Sequence, residues 1–184
     1  MRIGFLVVSC LITLSCSDLD DLGYNEPEQY NIVELTFVNS KDNQTSSLSY
    51  EDPDLEGPLS PIVSTVQLKN NTSYSIELNF AYDYVLDDED RIDRNEEILM
   101  ESKVHQVFLI LENPNNSAIS LLEVSDTDEN ENPLGLEWNM TTNTTGAVNL
   151  RVVLVHDPIK PNEDLLSAEG IIEFDATVNF VIQG

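Results

Sequence analysis

The stretch IIEFDATVNFVI, residues 171–182, alternates apolar and polar side chains over most of its length. Ile172, Phe174, Ala176, Val178, Phe180 and Ile182 share one phase, while Glu173, Asp175, Thr177 and Asn179 share the other. A period of two marks a strand with one face in a core and one in water, because successive strand side chains point to opposite sides. A helix would scatter the same six apolar residues around its circumference and bury none of them well. The pattern recurs. Tyr74, Ile76, Leu78, Phe80 and Tyr82 are in phase within SYSIELNFAY (73–82). Further strands are expected over 31–38, 46–51, 62–68, 104–112, 118–125, 134–142 and 147–155, each bounded by Asn, Asp, Pro or Gly. Only DRNEEILMESK (93–103) reads as a short helix, with Asp93 placed to cap it. About nine strands and one short helix predict an all-β fold, an antiparallel β-sandwich.

The chain is long enough for one domain with a proper core, at 184 residues and 41% hydrophobic. That apolar content excludes a disordered acidic tail. Thirty-four acids against eight Lys and Arg give a formal net charge of -26. A surface this negative repels phosphate backbones, so no nucleic-acid partner is expected, whereas cations are attracted.

The N-terminus is organised differently. Met1 and Arg2 precede an apolar run, IGFLVVSCLITLS (3–15), too short to anchor stably as a membrane span. Ser15 then precedes Cys16. The segment resembles a bacterial lipoprotein signal, which implies cleavage before Cys16 and acylation of its thiol and its new amine. Cys10 is the rival position, and an ordinary secretory peptide is the alternative. Residues 1–15 are thus expected to be a signal peptide, 16–30 a lipidated cysteine and acidic tether, and 31–184 the β-sandwich. Once cleaved, the chain keeps only Cys16, so no internal disulfide is expected. Several acyl chains anchor stably where one is marginal. CSDLDD (16–21) also resembles the export signal of Bacteroidetes lipoproteins, carried by Ser17, Asp18, Asp20 and Asp21. That resemblance implies the outer membrane, facing the cell exterior.

Several stretches together are similar to a family of small flavobacterial lipoproteins that carry the label "type 1 periplasmic binding fold". They are YEDPD (50–54), LKNNTSYS (68–75), EEILMESKVHQVF (96–108), DTDENENPLGL (126–136), TTNTTG (141–146), LVHDPIKP (154–161) and EGIIEFDATVNFVI (169–182). The genes of that family frequently lie beside TonB-dependent outer-membrane receptors, so the resemblance implies an accessory role with such a receptor. The label implies two α/β lobes, which this chain lacks the length and the βα alternation to form. The chain departs from the family at EDPDLEGP (51–58), where relatives carry a Gly-rich acidic turn, and at Ser102 and Lys103, where they carry acids.

The only two histidines suggest a site. His156 continues the inward phase of Val148, Leu150, Val152 and Leu154, and His105 begins the row Val107, Leu109, Leu111. If their strands are neighbours, the imidazoles converge at one rim, with Glu101 and Asp157 as carboxylate company. Two His with carboxylates suit a divalent transition metal such as Zn, Cu or Fe, and two axial imidazoles suit haem. The alternative is two strand-end histidines without metal, because ligands so far apart form no spacing motif. Asp126, Asp128, Asn130, Asn132 and Glu137 mimic a calcium loop, but Glu131 stands where its Gly should be, and a hairpin connection is expected instead. No nucleophile motif or phosphate loop is present, so a binding role rather than an enzyme is expected. Capture of a nutrient, a metal or metal complex being one candidate cargo, or docking onto an outer-membrane receptor is the leading expectation. A structural or adhesive surface module is the alternative.

Overall fold

In the computed structural model, residues 29–55, 57–83, 91–113, 117–162 and 164–184 are described. The expected signal peptide, Cys16, the expected export residues Ser17, Asp18, Asp20 and Asp21, and most of the expected tether lie outside them. Among the described residues the chain forms eleven strands and two short helices. One sheet holds β1 (Ile32–Asn39), β2 (Thr45–Glu51), β3 (Ile62–Val63), β5 (Ser73–Tyr82), β6 (Ile92–Asp93), β8 (Ile119–Val124) and β9 (Glu137–Thr142). Its order is β3-β2-β1-β5-β9-β8, with β6 pairing with β5 off that path. The smaller sheet runs β4 (Gln67–Lys69), β11 (Ile171–Gln183), β10 (Gly146–His156), β7 (His105–Leu111). The antiparallel β-sandwich expected from the alternation is the fold.

Two details depart from expectation. The single strand expected over 62–68 splits into β3 and β4, which belong to opposite sheets. Between them the chain crosses the sandwich edge, and Val66 and Leu68 enter the core. β4 then pairs with β11 in parallel, the one exception to antiparallel pairing among the described strands. The second departure is the helix count. The expected helix forms as α1, Asn95–Met100, and a second, α2, spans Leu165–Ala168.

Local chemistry accounts for both helices. In α1 the N-cap is Arg94 rather than Asp93, although an Asp93 carboxylate oxygen accepts from the Asn95 amide at 2.9 Å. The Asn95 side chain accepts from the Phe80 amide (2.8 Å) and donates to the Leu78 carbonyl (2.7 Å), pinning α1 to β5. Ile98 is buried beneath it. α2 carries a reciprocal capping box between Asp164 and Ser167. Ala168 and Leu165 of α2 pack with Phe108, Ile110, Val153 and Val155 on the outer face of the small sheet. This explains why Val152 to Val155 reads as a continuous apolar run: both faces of β10 are covered there.

The main core lies between the sheets. Phe37 packs at a tilt against Phe180 and Phe80 edge-on against Phe174, each with ring centroids 5.4 Å apart. Tyr30, assigned by sequence to the end of the tether, is buried edge-on against Phe80 at 6.0 Å. Tyr30 therefore packs with the core of the sandwich.

The alternation of β11 fails at one place. Leu154 faces Phe174 and Val155 faces Ile172, so Glu173 is the extra residue of a β-bulge. Phe174, Ala176, Val178, Phe180 and Ile182 are buried as expected, but Ile172 is exposed. A bulge reverses the phase of everything beyond it, and this one re-aims the start of β11.

Candidate metal centre

β7 and β10 are neighbours, and their register sets His105 directly opposite His156. Both continue the core-facing rows, so the two imidazoles meet at the end of the inter-sheet core. Nδ1 of His156 lies 3.1 Å from Nε2 of His105, with the rings nearly perpendicular at 81°. His105 is fully buried, and the His156 side chain keeps 13% of its surface in water.

Two glutamates complete the cluster. Glu101 is the C-cap of α1, and its backbone carbonyl lies 3.3 Å from Nδ1 of His105. With that nitrogen carrying the proton toward the carbonyl, Nε2 of His105 presents its lone pair to His156 and Glu173. One ligand atom each from Glu101, His105 and His156 lie within 4.8 Å of one another. Glu173, swung round by the bulge, places Oε2 3.4 Å from Nε2 of His105 and Oε1 3.5 Å from Nδ1 of His156. Its side chain is only 4% exposed. Glu173 Oε2 and Glu101 Oε2 are buried and make no hydrogen bond. A buried carboxylate oxygen without a donor is costly unless a cation meets it.

These separations match a coordination sphere. Two ligand atoms bonded to one zinc at about 2.0–2.1 Å in tetrahedral geometry stand about 3.3–3.4 Å apart. The His–His distance lies close to that edge length, and so does one distance from each histidine to Glu173, each to a different carboxylate oxygen, whereas Glu101 stands within 4.8 Å. The donor set is nitrogen and oxygen only, which suits Zn(II) and the neighbouring divalent metals rather than soft Cu(I).

Two expectations need correction. Asp157, expected among the ligands, points elsewhere: its Oδ2 is 3.6 Å from the other ring nitrogen of His156, and its side chain is largely exposed. It neighbours the distal nitrogen and is not a fourth donor. The haem reading also fails, because bis-histidine haem needs its imidazoles on opposite sides of a macrocycle. Cross-strand neighbours with ring centroids 4.8 Å apart leave no room for one. Alternation alone does not reveal Glu173, because its phase assigns it to the solvent face. The available signal was the pair Ile171–Ile172 after Gly170, two adjacent apolar residues that break the period.

Gly170 guards the turn into β11. Its φ is +75°, and a Cβ there would lie 2.5 Å from the His156 carbonyl oxygen. Only glycine permits that approach beside a ligand strand.

The acidic loop between β8 and β9 serves as the expected connection. Asp126 accepts from the amides of Gly135 (2.7 Å) and Leu136 (3.0 Å). Asp128 accepts from the amides of Asn130 (2.8 Å) and Asn132 (2.9 Å). Asp128 also meets Lys160 at 3.2 Å, and both side chains are almost wholly buried. These carboxylates organise the loop instead of converging on a common point. Of the other acidic runs, residues 84–90 and Glu56 lie outside the described residues.

Among the described residues no helix is long and apolar enough to cross a membrane. Compared with protein-family models, with curated proteins and with solved structures, the chain matches none.

Proposed function

We propose that this chain is a lipid-anchored protein of the bacterial outer membrane, facing outward, that captures a divalent transition metal and delivers it to a TonB-dependent receptor without catalysis of its own. The carrying observation is the rim cluster of His105, His156, Glu101 and Glu173, with its two buried carboxylate oxygens lacking hydrogen bonds. The net charge of -26 supports the reading, since it concentrates cations around the domain. Glu101 and His156 also line an open pocket of about 480 Å³, which gives the ligand cluster a route to solvent. The anchor rests on the sequence around Cys16, and a tether raises the effective concentration of a binder beside its importer.

The test uses intact bacteria. Labelled palmitate should enter the chain and not its Cys16→Ala variant. Cells displaying the protein should hold more surface zinc than cells displaying His156→Ala. Unlabelled protein, or equal zinc on the two strains, overturns the reading.

One observation favours the second reading, a structural or adhesive module. Leu59, Ile62 and Val63 are exposed at and beside β3, the edge of the larger sheet. An apolar edge of this kind suits contact with another surface.

A further inference from the structure

The two ends of the sandwich differ in chemistry. β10 runs from Gly146 at one end to His156 at the other, so the ends stand about 33 Å apart at about 3.3 Å per residue. The end away from the histidines is closed by the polar turns 39–45, 70–72 and 142–146. Backbone bonds tie these turns together, as from Ser40 to Ser73 and from Asn70 to Gln183. The metal end is apolar at its rim. Ile171 and Ile172 open β11 opposite His156 and Val155, Met100 ends α1 beside Glu101, and Ile159 follows three residues after His156. All four side chains are exposed. Large apolar side chains gathered at one end, against turns of Asn, Ser and Thr at the other, mark a contact surface.

The chain enters the domain at that same end. Gln29 and Tyr30 line one cleft together with Ile172 and Glu173. Tyr30 packs against Phe80, and Phe80 against Phe174. Asn31 is fixed next: its amide donates to the Ala81 carbonyl, and its side chain donates to the Asp83 carbonyl at 2.7 Å. From Cys16 to Gln29 the covalent chain reaches at most about 45 Å. With the metal end toward a bilayer that holds Cys16, this length is ample. With the polar end toward it, the chain must first climb about 33 Å beside the domain, which leaves about 12 Å of reach. A bilayer is therefore the surface that the metal end meets whenever the chain is anchored.

We propose that the metal end rests on the leaflet that holds the acylated Cys16, with Met100, Ile159, Ile171 and Ile172 in its interface. This orientation rests on the anchor proposed above and adds which face of the domain meets the membrane. Apolar side chains at the interface supplement acyl chains, and the tether keeps them at high local concentration there. Glu129 and Asp157, which flank the pocket beside His156, repel an anionic surface, so a zwitterionic headgroup is the one that fits. The consequence is that the metal ligands sit at the level where a membrane-embedded receptor opens.

Fluorescence quenching on the full acylated chain in phosphatidylcholine vesicles tests it. Once the signal is cleaved and Cys16 is acylated, the thiol of Met100→Cys or of Thr144→Cys is the only free one to carry a dye. Both positions are exposed, one at each end of the sandwich. A lipid with a nitroxide just below its headgroup should quench the dye at position 100 severalfold more than the dye at position 144. Equal quenching at the two positions, or stronger quenching at 144, would overturn the orientation. No quenching at position 100 in protein that floats with the vesicles would overturn the bilayer contact and assign the apolar rim to a protein partner. A chain that does not float would overturn this orientation together with the anchor, whereas zinc competition on the same vesicles reads the metal site separately.

Discussion

Asp128→Ala is expected to destabilise the domain by about 3–5 kcal/mol, the usual cost of removing one partner from a buried ion pair. Lys160 would keep its burial and only one strong acceptor, the Ser102 carbonyl at 2.8 Å. The amides of Asn130 and Asn132 would lose their acceptor as well. Lys160→Met should cost clearly less. It leaves Asp128 with those two amides and the Asn132 side chain, and methionine fills much of the vacated stem. Urea unfolding of the two variants measures the order, and the reverse order would refute this account of the loop.

The pair also sets a pH dependence. Burial pushes the Asp128 carboxyl up, but the amides of Asn132 and Asn130, then Lys160 and the Asn132 side chain, outweigh it and hold the pKa below the ordinary 3.8. A folded pKa below the unfolded one stabilises above the unfolded value. That contribution is therefore full above about pH 4 and is lost as pH falls through the folded pKa. Lys160 carries the opposite sign. Burial lowers its pKa despite Asp128, so its charge costs stability near neutrality, and that cost fades as pH rises toward 10.5.

Glu173→Gln is expected to weaken zinc binding by about 10–100-fold or more while the fold survives. Glutamine keeps the shape, removes the charge, and turns one metal-facing oxygen into an amide that can donate to an imidazole. Competition against a zinc chelator measures the loss, and circular dichroism checks the fold. Melting of the metal-free variant should be no lower than that of the parent, because a buried carboxylate without a hydrogen bond to Oε2 has been removed. Unchanged zinc affinity in a folded Glu173→Gln protein would remove Glu173 from the ligand set.

The histidine pair was legible in sequence because each ring continues an apolar row, and phase survives along a regular strand. Their register was not legible. Which strands pair, and at what offset, depends on contacts between residues far apart in sequence, such as His105 and His156, which are 51 positions apart. Glu173 was hidden for a different reason: the bulge between Leu154 and Val155 shifts the register, and sequence phase assumes no such break. The split of 62–68 is similar, since a strand that changes sheets keeps its composition but loses its continuity. The pairing of Lys160 with Asp128 links a loop after β10 to one after β8, and neither segment marks the other. Periodicity reports which face a residue occupies; bulges, crossings and loop contacts decide what it meets there.

The bulged start of β11 brings a carboxylate onto two cross-strand imidazoles, the arrangement on which the proposed metal centre depends. X-ray absorption on the zinc-loaded protein tests it most directly. One zinc per chain is expected, with two imidazole nitrogens and carboxylate oxygens at about 2.0–2.2 Å. A sphere without imidazole scattering, or zinc spread over several oxygen-only sites on the acidic surface, would contradict it.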